Sequence, residues 1–173
     1  MSRSYSAALP IAFVVLRILI VLNWLLGVAI IALLVLLPHE QWILSALKLS
    51  PSPDADRVIM GLRAIALLGL VTIPINWLIL KRLLAMVETV RAGDPFVPKN
   101  ASRLQAIAWV LLALQLLSLA VGVIVDAIST PAHPVDIDAG FSVPGWLAVL
   151  LTFVLARVFA EGTVMREDLE GTV

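Results

Sequence analysis

Four apolar stretches, each close to the length that crosses a bilayer, dictate what this chain can become. A hydrocarbon core about 30 Å thick takes about 20 residues of helix. The first stretch runs from Ile18 to Leu37, entered by the apolar lead Ile11–Leu16 and interrupted by Arg17 and Asn23. The second, Ala64 to Leu80, has 17 residues between Arg63 and Lys81-Arg82. That suffices when the flanking cations snorkel to opposite interfaces. The third, Leu104 to Val125, lies between Arg103 and Asp126, and the fourth, about Phe141 to Ala160, contains Arg157 near its far end. None has the polar face that a helix of a water-soluble bundle must show. With 61% hydrophobic and 14% charged residues in a chain of 173, and a mean hydropathy of +1.06, the solvent has to be lipid.

The sequence therefore predicts an all-α integral membrane protein, a four-transmembrane-helix up-down-up-down bundle with both termini cytoplasmic. The expected spans are 11–37, 58–82 with the helix running on to about residue 92, 101–125 and 141–161. Outer loops 38–57 and 126–140, a cytoplasmic loop 93–100 and a cytoplasmic tail 162–173 connect and end them. Orientation rests on Lys and Arg alone. Nine cations (Arg3, Arg17, Lys81, Arg82, Arg91, Lys99, Arg103, Arg157, Arg166) fall on the side of the termini, against three (Lys48, Arg57, Arg63) on the other. The first span reads as an uncleaved signal anchor, because its apolar run is about twice the usual signal-peptide core and no A-x-A site follows. The expected location is a bacterial inner membrane.

Between the spans, Gln41–Leu49 reads as a short helix in the headgroup layer, ended by Pro51 and Pro53, with Asp54 capping the second helix. Gly93-Asp94-Pro95-Phe96-Val97-Pro98-Lys99-Asn100 reads as a turn stiffened by two prolines, with Asn100 capping the third helix and Arg103 at the headgroups. The last outer loop holds His133, Asp136 and Asp138, with His39 and Glu40 across in the first. No metal-ligand spacing is present, so a solvated loop is expected there and no metal. The tail, Glu161-Gly162-Thr163-Val164-Met165-Arg166-Glu167-Asp168-Leu169-Glu170-Gly171-Thr172-Val173, is acidic and reads either as a solvated end or as a docking peptide.

Polar residues inside spans are functional suspects by default. Arg17 and Arg157 sit near one membrane edge, where long side chains reach phosphate, and Glu161 is the i,i+4 partner of Arg157. Asn23-Trp24 and Asn76-Trp77 recur in the first two spans, as a trace of duplication or as interhelical hydrogen-bonding sites. Gln115, Ser118, Gly122 and Asp126 share a stripe of the third, where Ser118 and Gly122 form a small-x-x-x-small contact for another backbone. Pro74 is expected to kink the second helix. The four apolar stretches contain no Asp, Glu or His, and the chain has no Cys. Carboxylate proton relays, haem held by paired imidazoles, disulfides and thiolate metal sites therefore have no ligands here. No catalytic motif or phosphate-binding Gly loop is present, so neither enzyme activity nor a cofactor is expected. With the charge balanced at +0, no direct nucleic-acid binding is expected either.

Two segments carry a resemblance: Gly93-Asp94-Pro95-Phe96 followed by Asn100 and Arg103-Leu104, and the ending Phe159-Ala160-Glu161-Gly162…Arg166-Glu167-Asp168…Gly171-Thr172-Val173. In these the chain resembles a bacterial family of four-span proteins, the domain of unknown function twenty-nine seventy-five, over nearly its whole length. The resemblance implies a gene neighbour, a small helix-turn-helix regulator of the Cro/repressor type, and it implies no catalytic residue. The leading expectation is a regulatory or sensory partner that docks a cytoplasmic protein. Its candidate docking residues are Gly93, Asp94, Pro95, Phe96, Asn100, Arg103, Glu161, Gly162, Arg166, Glu167, Asp168, Thr172 and Val173. The alternative is a small transporter or channel, as a homo-oligomer, using Asn23, Asn76 or Gln115. An outer-surface enzyme using His133 with Asp136 or Asp138 ranks third.

Overall fold

The computed structural model describes residues 5–36, 53–129, 135 and 137–170. Helices α1 (Tyr5–Leu36), α2 (Pro53–Arg91), α3 (Pro98–Ile128) and α4 (Val143–Glu170) follow in order, with no strand among the described residues. All four are long and apolar enough to cross a membrane, and only 11–28% of each apolar window is buried. Large side chains such as Ile11, Val28, Val35, Val123 and Leu150 lie exposed on them. Apolar exposure on that scale requires a lipid solvent; this is a multi-pass membrane protein. The headgroup-layer helix expected at 41–49, and His39, Glu40, His133 and Asp136, lie outside the described residues.

The helices outrun the spans for physical reasons. At 39 residues, α2 is about 58 Å long, nearly twice a hydrocarbon core. It starts at Pro53, so Asp54 lies inside its first turn and not at the cap; proline suits a first helical position because its missing N–H would have no partner there. Pro74 sits inside α2, and the helix is assigned continuously through it. The last helix continues to Glu170, so most of the expected solvated tail is helical.

The chain forms two compact units. One comprises Met1–Asn23, Pro74–Ala113 and Val143–Val173; the other comprises Trp24–Ile73 and Leu114–Ser142. The second unit buries Val58, Ile59, Ile73, Val125 and Ile128. Glycines bring its helices together: a Cβ on Gly27 would lie 3.2 Å from Ile73 Cγ2, and one on Gly61 would lie 2.7 Å from Ile128 Cδ1. Its Ser118–Gly122 seam is filled, and the visitor is not a helix. Gly140, in a bend before α4 with φ +108°, donates its N–H to the Ser118 carbonyl at 3.0 Å, while Ser118 Oγ lies 3.2 Å from both the Gly140 N and O. The first unit buries Leu104, Ile107, Ala108, Val149 and Ala156 and, unusually for an apolar chain, Asn23, Asn100 and Thr163.

Candidate docking site at the α2–α3 turn

The first unit holds the polar constellation. It begins where α2 stops. Gly93 has φ +89°, its N–H donates to the Val90 carbonyl at 3.1 Å, and the Asp94 N–H donates to the Thr89 carbonyl at 3.0 Å. This pair of bonds is a Schellman ending, which needs a left-handed residue at the position Gly93 occupies. Pro95 and Pro98 stiffen the following extended residues, and Pro98 opens α3.

Asn100 therefore lies inside α3 and is not its cap. Its side chain is fully buried, at 0% exposure, and acts as a three-way tie. The amide Nδ2 donates to Thr89 Oγ1 at 2.7 Å and to the Pro95 carbonyl at 2.9 Å, while Oδ1 accepts from Arg103 Nη1 at 2.9 Å. The proton count closes, because the Thr89 hydroxyl spends its own hydrogen on the Met86 carbonyl at 2.7 Å and is left as an acceptor. Arg103 reaches on to the Ala85 carbonyl at 3.2 Å. It is half-buried and staples α3 to the end of α2. Arginine suits this role because its fork presents several fixed donors at once.

The end of α4 closes over the turn. Phe96 stacks on Phe159 with ring centroids 5.4 Å apart and planes tilted by 35°. Gly162, one turn after Phe159, gives the Phe96 ring room, since a Cβ there would lie 3.0 Å from it. Asp94 is ion-paired with Arg166. Thr163, next to Gly162 in α4, is buried, its hydroxyl donated back to the Phe159 carbonyl at 2.8 Å, which hides its polarity inside the helix.

Of the sequence-derived docking residues, Gly93, Asp94, Pro95, Phe96, Asn100, Arg103, Gly162 and Arg166 thus come together. Glu161 instead accepts from Arg157 Nε at 2.8 Å on an exposed stretch of α4, the i,i+4 pair expected from the sequence. Glu167 and Asp168 lie exposed beyond the ion pair, beside Leu169 at 71% exposure. Thr172 and Val173 fall outside the described residues. Phe159 and Thr89 were missed as site residues; the i,i+3 spacing of Phe159 and Gly162 on one helix face was the available signal.

The polar residues of the spans are divided between the two units. Arg17 and Arg91 lie over the Phe13 ring at 4.4 and 4.9 Å, and Lys81 lies over Trp77 at 4.9 Å. These are cation–π contacts suited to a membrane edge, where a ring is half in lipid. Asn23 is buried and Asn76 half-buried in the first unit, whereas Gln115 belongs to the second. Among the described residues no group of three or more His, Cys, Asp or Glu side chains converges to hold a metal; Asp138 is exposed.

No curated protein and no solved structure matches this chain. A family model does match, over residues 39–173, which takes in the α2–α3 turn and all of α4. The chain belongs to the family described as protein of unknown function (DUF2975).

Proposed function

We propose that the protein is an inner-membrane docking platform, a regulatory or sensory partner that holds a soluble cytoplasmic protein at the α2–α3 turn and the end of α4. One observation carries the reading. At one end of its apolar spans the chain invests its most specific contacts, the Asn100 tie, the Phe96–Phe159 stack and the Asp94–Arg166 pair, in fixing one small surface. Such ordering costs about 1–2 kcal/mol of backbone entropy per residue, an outlay a mere connector between spans does not require. Beyond the ion pair that surface presents Glu167 and Asp168 next to exposed Met165 and Leu169. Carboxylates beside apolar side chains suit the basic, DNA-facing surface of a small helix-turn-helix regulator, the partner implied by the family resemblance. The excess of Lys and Arg around this end supports a cytoplasmic placement, N-in and C-in.

The test is co-purification of the full-length protein with the helix-turn-helix regulator that the family resemblance implies as its gene neighbour. Glu167→Lys with Asp168→Lys reverses the charge and leaves Asp94–Arg166 in place, and it is expected to abolish retention. Equal retention by the wild type and the double variant overturns the reading. So does a reporter fusion at the carboxyl end that reports the far side of the membrane.

A small oligomeric transporter or channel is the second reading. It is favoured by Gln115, whose Oε1 is buried and accepts no hydrogen bond. Loss of solute flux in Gln115→Leu, with the regulator still bound, selects it.

A further inference from the structure

We infer that the groove between the start of α3 and the middle of α4 binds an anionic phospholipid, headgroup on Arg157 and one acyl chain against Phe153. The groove lies wholly within the first unit. Pro98, Ala101, Ser102 and Gln105 line one wall and Phe153, Ala156, Arg157 and Ala160 the other, enclosing about 420 Å³. Both sets repeat as i, i+3, i+4, i+7, so each is a single helix face. The three alanines and the proline leave the space; a larger side chain at any of them would fill it.

The lining is divided in a way that selects the occupant. Phe153 packs edge-on against Trp109, with centroids 5.2 Å apart and planes at 87°, and its neighbours Leu150 and Val154 are exposed apolar side chains on a membrane-spanning helix. That end faces hydrocarbon. Arg157, Ser102 and Gln105 supply the polar end. The Arg157 side chain is 78% exposed, and its Nε donates to Glu161. A guanidinium has five N–H donors, so four on Nη1 and Nη2 remain to be satisfied. A charge in a span is costly unless it reaches an acceptor, and a phosphate with two free oxygens meets a guanidinium edge in bidentate fashion. Lys99, exposed beside Pro98, adds a second cation, so the rim stays net positive after Glu161 is counted. A molecule apolar at one end and net anionic at the other is a phospholipid such as phosphatidylglycerol. This inference stands apart from the docking reading, since it concerns a different face and needs no protein partner.

Native mass spectrometry of the full-length detergent-purified protein, offered equal phosphatidylglycerol and phosphatidylcholine, tests it. The wild type is expected to retain phosphatidylglycerol about fivefold over phosphatidylcholine, the effect of about one cation at a membrane surface. Arg157→Gln, at an exposed position that leaves the fold intact, is expected to abolish the preference. Ala160→Leu, which fills the groove, is expected to lower total lipid retained. Millimolar inorganic phosphate is expected to displace nothing, because it lacks the chain. Equal retention of the two lipids by the wild type overturns the inference, as does an undiminished preference in Arg157→Gln. Displacement by phosphate alone, or a dimer whose formation depends on Arg157 in place of bound lipid, also overturns it.

Discussion

The ring of Phe96 lies against Gly162 so closely that a Cβ on that glycine would come within 3.0 Å of both its Cδ1 and Cε1. Two effects oppose each other at this position. Alanine gains up to about 1 kcal/mol over glycine inside a helix, but it pushes on the ring. Because Phe96 is partly exposed, the ring is free to give. Gly162→Ala is therefore expected to leave the thermal stability of the detergent-solubilised protein within about 1 kcal/mol of the wild type. Gly162→Leu, which cannot be accommodated by a small ring shift, is expected to cost about 1–3 kcal/mol and to expose the α2–α3 turn to protease.

The opposite outcome is expected at Gly122. A Cβ there would lie 2.7 Å from Gly140 Cα and 3.0 Å from Gly140 N. Both are backbone atoms held by the bonds to Ser118. Backbone pinned this way cannot move aside, so overpacking of about 1–3 kcal/mol outweighs the helix-propensity gain. Gly122→Ala is expected to lower the melting midpoint where Gly162→Ala does not. Gly140→Ala adds the strain of a left-handed residue at φ +108° and is expected to be at least as damaging. Thermal unfolding of the three variants side by side checks the ranking.

These two glycines also mark how far the sequence could be read. That Ser118 and Gly122 form a seam was legible, because small residues four apart on an apolar helix exist to admit a backbone. The identity of that backbone, Gly140, was not legible, since nothing local in a loop says which helix it will visit. The spans were legible for the same reason: their apolar length is a local property. Helical structure as far as Glu170 was not, because Glu167, Asp168 and Glu170 read locally as a solvated end. What orders that segment is a set of contacts from Phe159, Gly162 and Arg166 to residues more than 60 positions earlier. Asn100 misled in the same manner. An asparagine shortly after a proline resembles a cap, whereas its partners, Thr89 and Pro95, lie across the turn.

Asn100 is expected to be the most sensitive single position in the first unit. Replacing it with Ala strips the Pro95 carbonyl and the Arg103 guanidinium of a buried partner. Each orphaned group costs about 1–3 kcal/mol, so an additive loss would exceed that of any surface change. Asn100→Asp keeps an acceptor for Arg103 but loses both donors and sets a carboxylate against the Pro95 carbonyl. It is expected to be no better than Ala. Amide hydrogen exchange across residues 85–105 gives the readout: both variants should speed exchange at Gly93 and Asp94, whose N–H groups end α2. Unchanged protection there would mean that the prolines alone hold the turn.

The Asp94–Arg166 pair joins residues 72 positions apart, and both side chains are about 40% exposed. Partly exposed ion pairs are worth little, about 1 kcal/mol or less. Removing Arg166 alone overstates the pair, because Arg166 has interactions besides Asp94. A double-mutant cycle with Asp94→Asn and Arg166→Gln isolates the coupling. A coupling of about 0.5–1 kcal/mol, reduced at high salt, is expected. The more exposed Arg157–Glu161 pair is the internal control: its i,i+4 geometry on one helix should couple by no more than about 0.5 kcal/mol. The two pairs should also separate in function. Arg157→Gln should leave regulator binding intact, whereas breaking Asp94–Arg166 frees the end of α4 and should weaken it at low salt more than at high, where the pair is already screened. If Asp94 and Arg166 show no coupling, the α4 end is held by the Phe96–Phe159 stack and the ion pair adds nothing to its placement.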